Sequence, residues 1–547
     1  MDRHCDGPLQ ELAAAVGSAA AAVRGSVGAP SAAPTLDRPR HKGQGDYSTN
    51  AAMLLAPVLS EQPRRIAARI AGELSAMLGD RLDRAEVAGP GFVNLWLSDA
   101  WHRSALRSVL GAGERFGAGG ADPVERMSVE FVSANPTGPL VAASGRHAAY
   151  GDALARILEH HGHSVEREYY FNDAGNQIRL LGASVGARAR GEAVPDGGYQ
   201  GSYVADLAAA IPGAAAASVE EVSRAAVELL LAQIKATLDR YGVVFDVYFS
   251  ERTLHDGSPS PLQRALARLE EVGHVYHSEG AMWLRTTSFG DDKDRVVVRS
   301  NGEPTYLAAD IAYMENKRER GFGRQLVPVG SDHSAYVRAM KAAMEALGGD
   351  PETVELPLLQ FVHLVEGGEV SAMSKRRGDF VMLDELLDEI GVDATRFFML
   401  QRSHDRTIEL DLDLARKQSR ENPVYYIQYA HARIASMLRR LPAGRVSGAL
   451  AEDWDSVPLE RPERDLIKKL VAFPGEIAEA AERRAPHRIA GYALELAQDF
   501  TTFYEACRVV GATPVAVESQ RVALSVAAQT TLSLSLSLLG VSAPDAM

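Results

Sequence analysis

The spacing of hydrophobic and polar positions changes twice along the chain, which predicts three regions. Residues 1–118 begin with an alanine-rich amphipathic stretch, followed by a glycine-rich loop at 43–47, a helical stretch after Ser48 and alternating residues at 91–96. This mixture predicts a small α+β domain. The glycine-rich segment 111–120 follows neither helical nor strand periodicity and predicts a linker.

The second region, residues 119–385, alternates short β-rich runs with helical stretches. It opens with the predicted strand Ser128–Val132, and further runs rich in valine and leucine occupy 296–298, 326–329 and 359–362. Such alternation is typical of parallel βαβ units. We therefore predict an α/β nucleotide-binding fold for this region.

The third region, residues 386–547, has an almost wholly helical pattern, with apolar periodicity from Val522 to Leu539. Leucine and serine alternate at 532–538, and this period of two would by itself indicate a strand. Because helical patterns lie on both sides, we predict a helix there. The whole region is predicted to be a helical bundle.

Composition and charge limit the classes of protein to which the chain can belong. At 547 residues the chain exceeds what one hydrophobic core supports. Its net charge of −14 has the wrong sign for general nucleic-acid binding but leaves room for a local basic surface. Because it contains no run of about 18 apolar residues and no secretory signal, we expect no membrane span and a cytoplasmic location. Cys5 and Cys507 have no metal-binding or disulfide spacing, so no metal site is predicted.

The first motif with chemical content is the run Ser133–Leu140, which follows a predicted strand and precedes a helix beginning near Val141. Strand–loop–helix junctions bind ligands in α/β sheets because loop amides and the helix N-terminus face anionic groups. Taken alone, the run is equally consistent with an ordinary turn. Further motifs follow it in order, at 171–177, 289–295, 305–313 and 373–376.

In order and spacing these motifs resemble the arginyl-tRNA synthetase family of class I aminoacyl-tRNA synthetases. The resemblance continues outside the second region, through residues 45–51, 89–94, 421–433 and 539–547. It implies a multidomain α/β protein with three parts: an N-terminal α+β tRNA-contacting domain (1–118), a Rossmann-like class I catalytic domain (119–385) and a C-terminal α-helical anticodon-binding domain (386–547).

The resemblance also implies the reaction, which is ATP-dependent attachment of L-arginine to tRNA(Arg) through arginyl-adenylate. ATP with Mg²⁺ would be the substrate complex, without a permanently bound cofactor, and the protein would be a monomer. The family's arginine-binding positions are Asn135 for the amino-acid backbone, Glu251 and Asp310 for the guanidinium or ammonium group, and Tyr306 for the side chain. Carboxylates and a flat surface suit a planar cation.

Each of these positions also has a purely structural interpretation. Glu251 stands next to Arg252 and can form a surface ion pair, and Tyr306 can be a core aromatic residue. Tyr306 and Asp310 are four residues apart and would share a face if helical. The remaining positions implied by the resemblance are catalytic Lys375, Ser374 and Ser144; ATP-binding Pro136, Gly138, Gly145, Asp332, His333 and Met373; and tRNA-binding Asp46, Tyr47, Asn50, Tyr425 and Tyr429.

The chain departs from its family at the ATP-binding positions. Class I synthetases open the helix after the Pro-Leu step with His-x-Gly-His, whose two histidines donate to ATP phosphates and whose glycine makes room for adenine. Here Val141-Ala142-Ala143-Ser144 occupies those positions. Ala372 replaces the first lysine of Lys-Met-Ser-Lys, for which Arg126 is a candidate substitute, and Ser334 and Ala335 replace a histidine and a glycine after His333.

Two hypotheses remain open from the sequence. In the first, the chain activates arginine with ATP and transfers it to the 3′ end of tRNA. A shifted helix start that lets His147 and Arg146 take over from the lost donors would be one way to retain this activity. In the second, the chain is a specialised paralogue that binds arginine or tRNA but has lost or redirected the ATP activation step. Such a paralogue would bind tRNA, sense arginine or ligate arginine to another acceptor.

Overall fold

The computed structural model describes residues 7–28, 30–39, 41, 43–370 and 381–547. Its N-terminal part is an α+β unit, as predicted. An antiparallel sheet of order β1-β2-β4-β3 carries helices on one face, and the alternating residues 92–97 form a strand whose Val93 and Leu95 are fully buried. The elements are α1 (Pro8–Arg24), β1 (Leu36–Asp37), β2 (Tyr47–Thr49), α2 (Ala51–Leu59), α3 (Pro63–Leu78), β3 (Leu82–Ala88), β4 (Phe92–Leu97) and α4 (Asp99–Ala112).

The middle of the chain contains the parallel sheet that the alternating pattern predicted. The elements are β5 (Arg126–Glu130), α5 (Ala142–His161), β6 (Ser164–Phe171), α6 (Gly175–Ala189), α7 (Ser202–Ala210), α8 (Val219–Arg240), β7 (Val247–Ser250), α9 (Pro261–Glu271), β8 (Val275–Ser278), β9 (Ala281–Leu284), β10 (Arg295–Val298), α10 (Tyr306–Glu319), β11 (Arg324–Leu326), β12 (Val329–Gly330), α11 (Ser334–Ala346), β13 (Val354–Glu355), β14 (Leu358–Leu359), β15 (Val362–Glu366) and β16 (Glu369–Val370).

The five-stranded sheet has the order β13-β11-β5-β6-β7, and its paired strands are all parallel. Strand β5 lies in the sheet between β6 and β11. The chain first continues to β6 on one side of β5, and later forms β11 on its other side. A crevice opens at the carboxyl ends of the strands where the strand order reverses in this way, and ligands bind there in open α/β sheets. The fold therefore places the loop after Glu130 at the ligand-binding edge.

The C-terminal part is a helical bundle, again as predicted. The Leu-Ser run is helical because tertiary packing overrides its local period: Leu532 and Leu536 are fully buried, and the Ser535 hydroxyl donates to the carbonyl of Thr531 within the helix. The elements are α12 (Leu383–Ile390), α13 (Val392–Leu400), β17 (Ile408–Asp411), α14 (Leu412–Arg416), α15 (Pro423–Arg439), α16 (Arg445–Ala451), α17 (Arg461–Leu470), α18 (Phe473–Glu482), α19 (His487–Ala506) and α20 (Val515–Leu538).

The bundle contacts both other parts through partly buried polar bonds. Arg484, after α18, donates to Glu355 of the parallel sheet at 2.8 and 2.9 Å, and the Tyr150 hydroxyl of α5 donates to the Arg484 carbonyl at 2.8 Å. Lys468 of α17 donates to Asp46 of the N-terminal unit at 2.9 Å. The domain boundaries at 118 and 385 stay predictions. Within the described ranges, no helix is long and apolar enough to cross a membrane.

Candidate active site

The loop after β5 is strained and tightly hydrogen-bonded. Val132 and Ser133 have φ angles of 66° and 41°, a left-handed conformation that is costly for a β-branched residue. The Ser133 hydroxyl donates to Glu130 at 3.0 Å, which holds the loop over the end of the strand. The Asn135 side chain donates to Gln177 at 3.1 Å and accepts from the Asn172 amide at 3.3 Å. The first two sequence motifs therefore meet at one place.

Three carboxylates from different elements meet beside this loop. Glu130 ends β5, Glu251 follows β7 in a short 3-10 turn, and Asp310 lies in the second turn of α10. Burial, together with the nearby charges of Glu130 and Glu251, raises the pKa of Asp310 to about 7, although the Tyr336 hydroxyl donates to it. The pocket thus has the surplus of negative charge that a guanidinium ligand needs.

Two further residues complete the pocket, and sequence reasoning missed both together with Glu130. Lys317, two turns after Asp310, is almost fully buried and donates to Glu130 at 2.6 Å. The Tyr170 hydroxyl contacts Glu251, and burial followed by that negative charge raises its pKa far above the usual value. A carboxylate at the end of a buried strand was the available signal for Glu130. No sequence feature near Lys317 indicated that it belongs to the pocket.

The structure resolves the two structural interpretations of the arginine-binding positions. Arg252 donates to the backbone carbonyl of Asp173 at 3.1 Å and pairs with its carboxylate at 3.4 Å, so Glu251 is not its partner. Tyr306 is 66% exposed at the first position of α10 and is therefore not a core aromatic residue. Glu251 is hydrogen-bonded to the Tyr170 hydroxyl and Tyr306 is exposed, and contact of either side chain with arginine stays a prediction.

Helix α5 begins where the sequence predicted, with Val141 as its N-cap. The Ala142 amide donates to the Val381 carbonyl and the Leu383 amide to the Leu140 carbonyl, both at 2.8 Å. Ala143 is exposed and Ser144 half-buried. The amides of Ala142 and Ser144 thus donate within the protein, the latter to the Val141 carbonyl at 2.8 Å, and the side chains of this turn offer one hydroxyl but no imidazole or cation toward a phosphate.

The proposed replacement of the lost donors by Arg146 is wrong, because its guanidinium is fully engaged elsewhere. It is buried and donates to five backbone carbonyls: those of Gln360, Phe361, Ser403, His404 and Arg406, at 2.5–3.3 Å. Burial lowers its pKa to about 10. Arg146 therefore ties the first turns of α5 to two loops and does not face a ligand.

His147 does face the site, but as a neutral ring. Burial, reinforced by the charge of Arg146, lowers its pKa to about 4, and the ring hydrogen-bonds to the Pro328 carbonyl. A neutral imidazole has one N–H, and here that donor is taken by the carbonyl. Asp332 and His333, after β12, are exposed, lie 3.8 Å apart and act electrostatically on His147. The structure thus places them near His147, which lies one turn after the altered positions.

The other ATP-binding positions have mixed environments. Pro136 is buried, Gly138 packs under Tyr203, and a methyl group on Gly145 would lie only 2.9 Å from Leu383. Gly145 therefore serves helix packing here. Arg126 is no substitute for the lost lysine, because it lies at the amino end of β5, donates to the Arg320 carbonyl and stacks on Phe322. Met373, Ser374 and Lys375 lie outside the described residues.

The N-terminal tRNA-binding candidates have structural partners. Asp46 is paired with Lys468 and accepts from the Leu97 amide, and Asn50 accepts from the Thr35 amide. The ring of Tyr47 is buried against Trp101, so it offers no surface to RNA, contrary to the prediction. Packing of strand β2 against helix α4 is the physical reason.

The C-terminal candidates lie on an accessible surface. Tyr425 and Tyr429 stack on one another with ring centres 6.2 Å apart and planes inclined by 8°. Arg433 lies over Tyr429 at 4.9 Å and over Tyr504 at 5.3 Å, beside a cavity of about 290 Å³. Stacked aromatic rings with an arginine suit unpaired bases and phosphates. Arg433 gives this surface the local positive charge that the chain's net charge of −14 does not exclude.

Comparison with known proteins agrees with this arrangement. Residues 10–97 match the arginyl tRNA synthetase N-terminal domain, residues 215–422 the class I (R) tRNA synthetase catalytic domain, and residues 427–547 the DALR anticodon-binding domain. The first-turn residues 141–144 fall between two of these matches.

Whole-length relatives give the same result. An arginine–tRNA ligase of Desulforamulus reducens is 43% identical over 94% of this chain and 93% of its own length, and one of Frankia alni is 44% identical over 94% of both. The structure of Thermus thermophilus arginyl-tRNA synthetase covers 98% of this chain and 100% of its own at 25% identity, with a TM-score of 0.76. The chain therefore belongs to the arginyl-tRNA synthetase family.

Proposed function

We propose that this protein attaches L-arginine to the 3′ end of tRNA(Arg) at the expense of ATP. The observation that carries the proposal is the pocket formed by Glu130, Glu251 and Asp310 at the carboxyl edge of the class I sheet, together with the identity of 43–44% to arginine–tRNA ligases. Asn135, above the same edge, is suited to hold the amino-acid backbone, and the exposed ring of Tyr306 to cover the side chain.

The reaction has two displacements. The arginine carboxylate attacks the α-phosphorus of ATP in line, pyrophosphate leaves, and arginyl-adenylate forms. A ribose hydroxyl of the terminal adenosine then attacks the carbonyl carbon, its proton is lost, and AMP leaves. Positioning and charge stabilisation supply most of the acceleration in such chemistry. Mg²⁺ enters with ATP as part of the substrate, and Lys375 is proposed to hold the pyrophosphate.

Other parts of the proposal concern partners. The Tyr425–Tyr429 stack with Arg433 is the proposed anticodon contact, and Asp46 and Asn50 act indirectly, by shaping the N-terminal unit. We further propose that the protein acts as a cytoplasmic monomer, with domains divided near residues 118 and 385.

The altered first turn of α5 is the reason to test a second function. The first turn of α5 lacks ring donors, Arg146 is held by carbonyls, and His147 is neutral with its N–H engaged. A chain with an intact arginine pocket and a weakened ATP site is suited to bind arginine or tRNA without activating arginine, or to ligate arginine to another acceptor. This is the paralogue hypothesis.

Calorimetric titration with arginine and with ATP, separately and together, followed by charging of tRNA(Arg) with labelled arginine, separates the two functions. Ligase function requires that ATP binds and arginyl-tRNA accumulates. Binding of arginine or tRNA without ATP binding would leave only the second function. Absence of arginine binding would refute both assignments of the pocket.

A further inference from the structure

The charges of the arginine pocket do not balance when it is empty. Glu130 has a partner, because the Lys317 ammonium donates to it at 2.6 Å inside the core. Glu168, on the neighbouring strand, is likewise paired with Arg320 at 2.6 Å. These two carboxylates are therefore neutralised by cations of the protein itself, the buried Lys317 and the partly exposed Arg320.

The other two carboxylates lack such partners. In the part of the chain that the structure describes, no lysine, arginine or histidine forms a salt bridge with Asp310, and Glu251 has only the half-exposed His255 ring at 3.8 Å. The groups that face Asp310 are the carboxylates of Glu130 and Glu251, the phenols of Tyr170 and Tyr336, and the ammonium of Lys317. Because the described residues place no cation in a salt bridge with Asp310 while two carboxylates face it, the protonated form of this buried carboxyl group is favoured.

We propose that arginine enters this pocket with release of a proton from Asp310, so that its affinity rises with pH through neutrality. The inference rests on the proposed function, since arginine is taken as the ligand. The guanidinium supplies the missing positive charge, which allows Asp310 to ionise beside Glu251. The proton leaves to the solvent, and no bond other than the carboxylic O–H is broken.

The direction of the pH effect on arginine affinity follows from the protonation of Asp310 before arginine binds. Burial and the carboxylate neighbours hold the pKa of Asp310 at about 7 without ligand. Below that pH arginine must displace a proton, and above it Asp310 is already charged. Affinity should therefore be about tenfold weaker at pH 6 than at pH 8, with about 0.9 proton released per arginine at pH 6 and about 0.1 at pH 8.

The test is calorimetric titration of the full chain with L-arginine at pH 6, 7 and 8, each in two buffers of different ionisation enthalpy. The dependence of the heat on the buffer gives the number of protons released. Asp310→Asn should bind arginine with an affinity independent of pH and release no proton. Glu319→Gln is the matched control, because it removes an exposed carboxylate from the same helix and should change nothing.

A second control addresses the imidazole ring that lies 3.8 Å from Glu251. His255→Gln removes the ring beside Glu251 and should leave the proton release intact. The proposal is overturned if wild-type affinity is flat between pH 6 and 8, if Asp310→Asn keeps the wild-type pH dependence, or if His255→Gln abolishes it. If Asp310→Asn does not bind, the wild-type and His255→Gln titrations decide. Failure of arginine to bind at any pH would refute the proposed function itself.

Discussion

Restoring the missing donors in the first turn of α5 should revive or greatly accelerate adenylation. The perturbation is the triple variant Val141→His, Ala143→Gly, Ser144→His. Val141 and Ser144 are partly exposed and Ala143 is exposed, so two imidazoles fit without displacing the core. The buried neighbours Ala142 and Gly145 stay unchanged.

The magnitude follows from the number of hydrogen bonds regained. A charge-assisted hydrogen bond contributes roughly 1.5–3 kcal/mol, so two bonds to ATP phosphates contribute roughly 3–6 kcal/mol. If they act in the transition state, the rate rises by about 10² to 10⁴-fold, at about tenfold per 1.4 kcal/mol. The new glycine costs the helix about 1 kcal/mol of stability, which does not enter the rate.

The assay is arginine-dependent exchange of pyrophosphate into ATP, with kcat and the KM of each substrate measured separately. The KM for arginine should stay within about twofold of wild type, because the pocket of Glu130, Glu251 and Asp310 is unchanged. Ala143→Gly alone and Val244→His, which places an imidazole at a solvent-exposed loop valine, are the controls. An exchange rate within about threefold of wild type in the triple variant would show that these positions do not limit the reaction, contrary to the reasoning above.

Arg146→Met should lower the free energy of unfolding by about 3 kcal/mol or more in urea titrations, because five backbone carbonyls lose their donor; a loss below about 1 kcal/mol would contradict the assigned bonds. Arg484→Gln should lower the free energy of unfolding by about 1–3 kcal/mol and speed proteolysis between the bundle and the sheet, since among the described residues Arg324 is the cation left bonded to Glu355; unchanged proteolysis would count against this contact. Arg433→Ala should weaken tRNA(Arg) binding by about tenfold in filter binding without changing arginine affinity, since one stacked cation is worth about 1–2 kcal/mol. The pKa of His147 is lowered to about 4 in the folded protein, so below pH 6.5 the unfolded chain binds a proton at this ring more readily than the folded chain does. Stability should therefore fall from pH 6.5 toward pH 4, and His147→Asn should flatten this decline in thermal melts.

Much of the architecture followed from the sequence because it depends on local patterns. Alternating residues at 91–96 correspond to the strand found at 92–97. The alternation of strand-like and helical runs predicted the parallel sheet, and the helix expected near Val141 begins at Ala142. The ordered motifs identified the family, since each motif is a short run whose members are adjacent in the chain. Glu251 and Asp310 were found in this way, and the structure brings them together beside Asn135.

Tertiary structure alone decided which side chains are free. Arg146 and Tyr47 both stand in conspicuous motifs. Yet Arg146 donates to carbonyls of residues 360–361 and 403–406, and Tyr47 is buried by the packing of its sheet. Lys317 pairs with Glu130 across 187 positions of sequence. A sequence specifies which groups exist and their local spacing. Burial, partners and protonation arise only when distant segments pack, because desolvation and charge pairing depend on neighbours that chain order does not reveal.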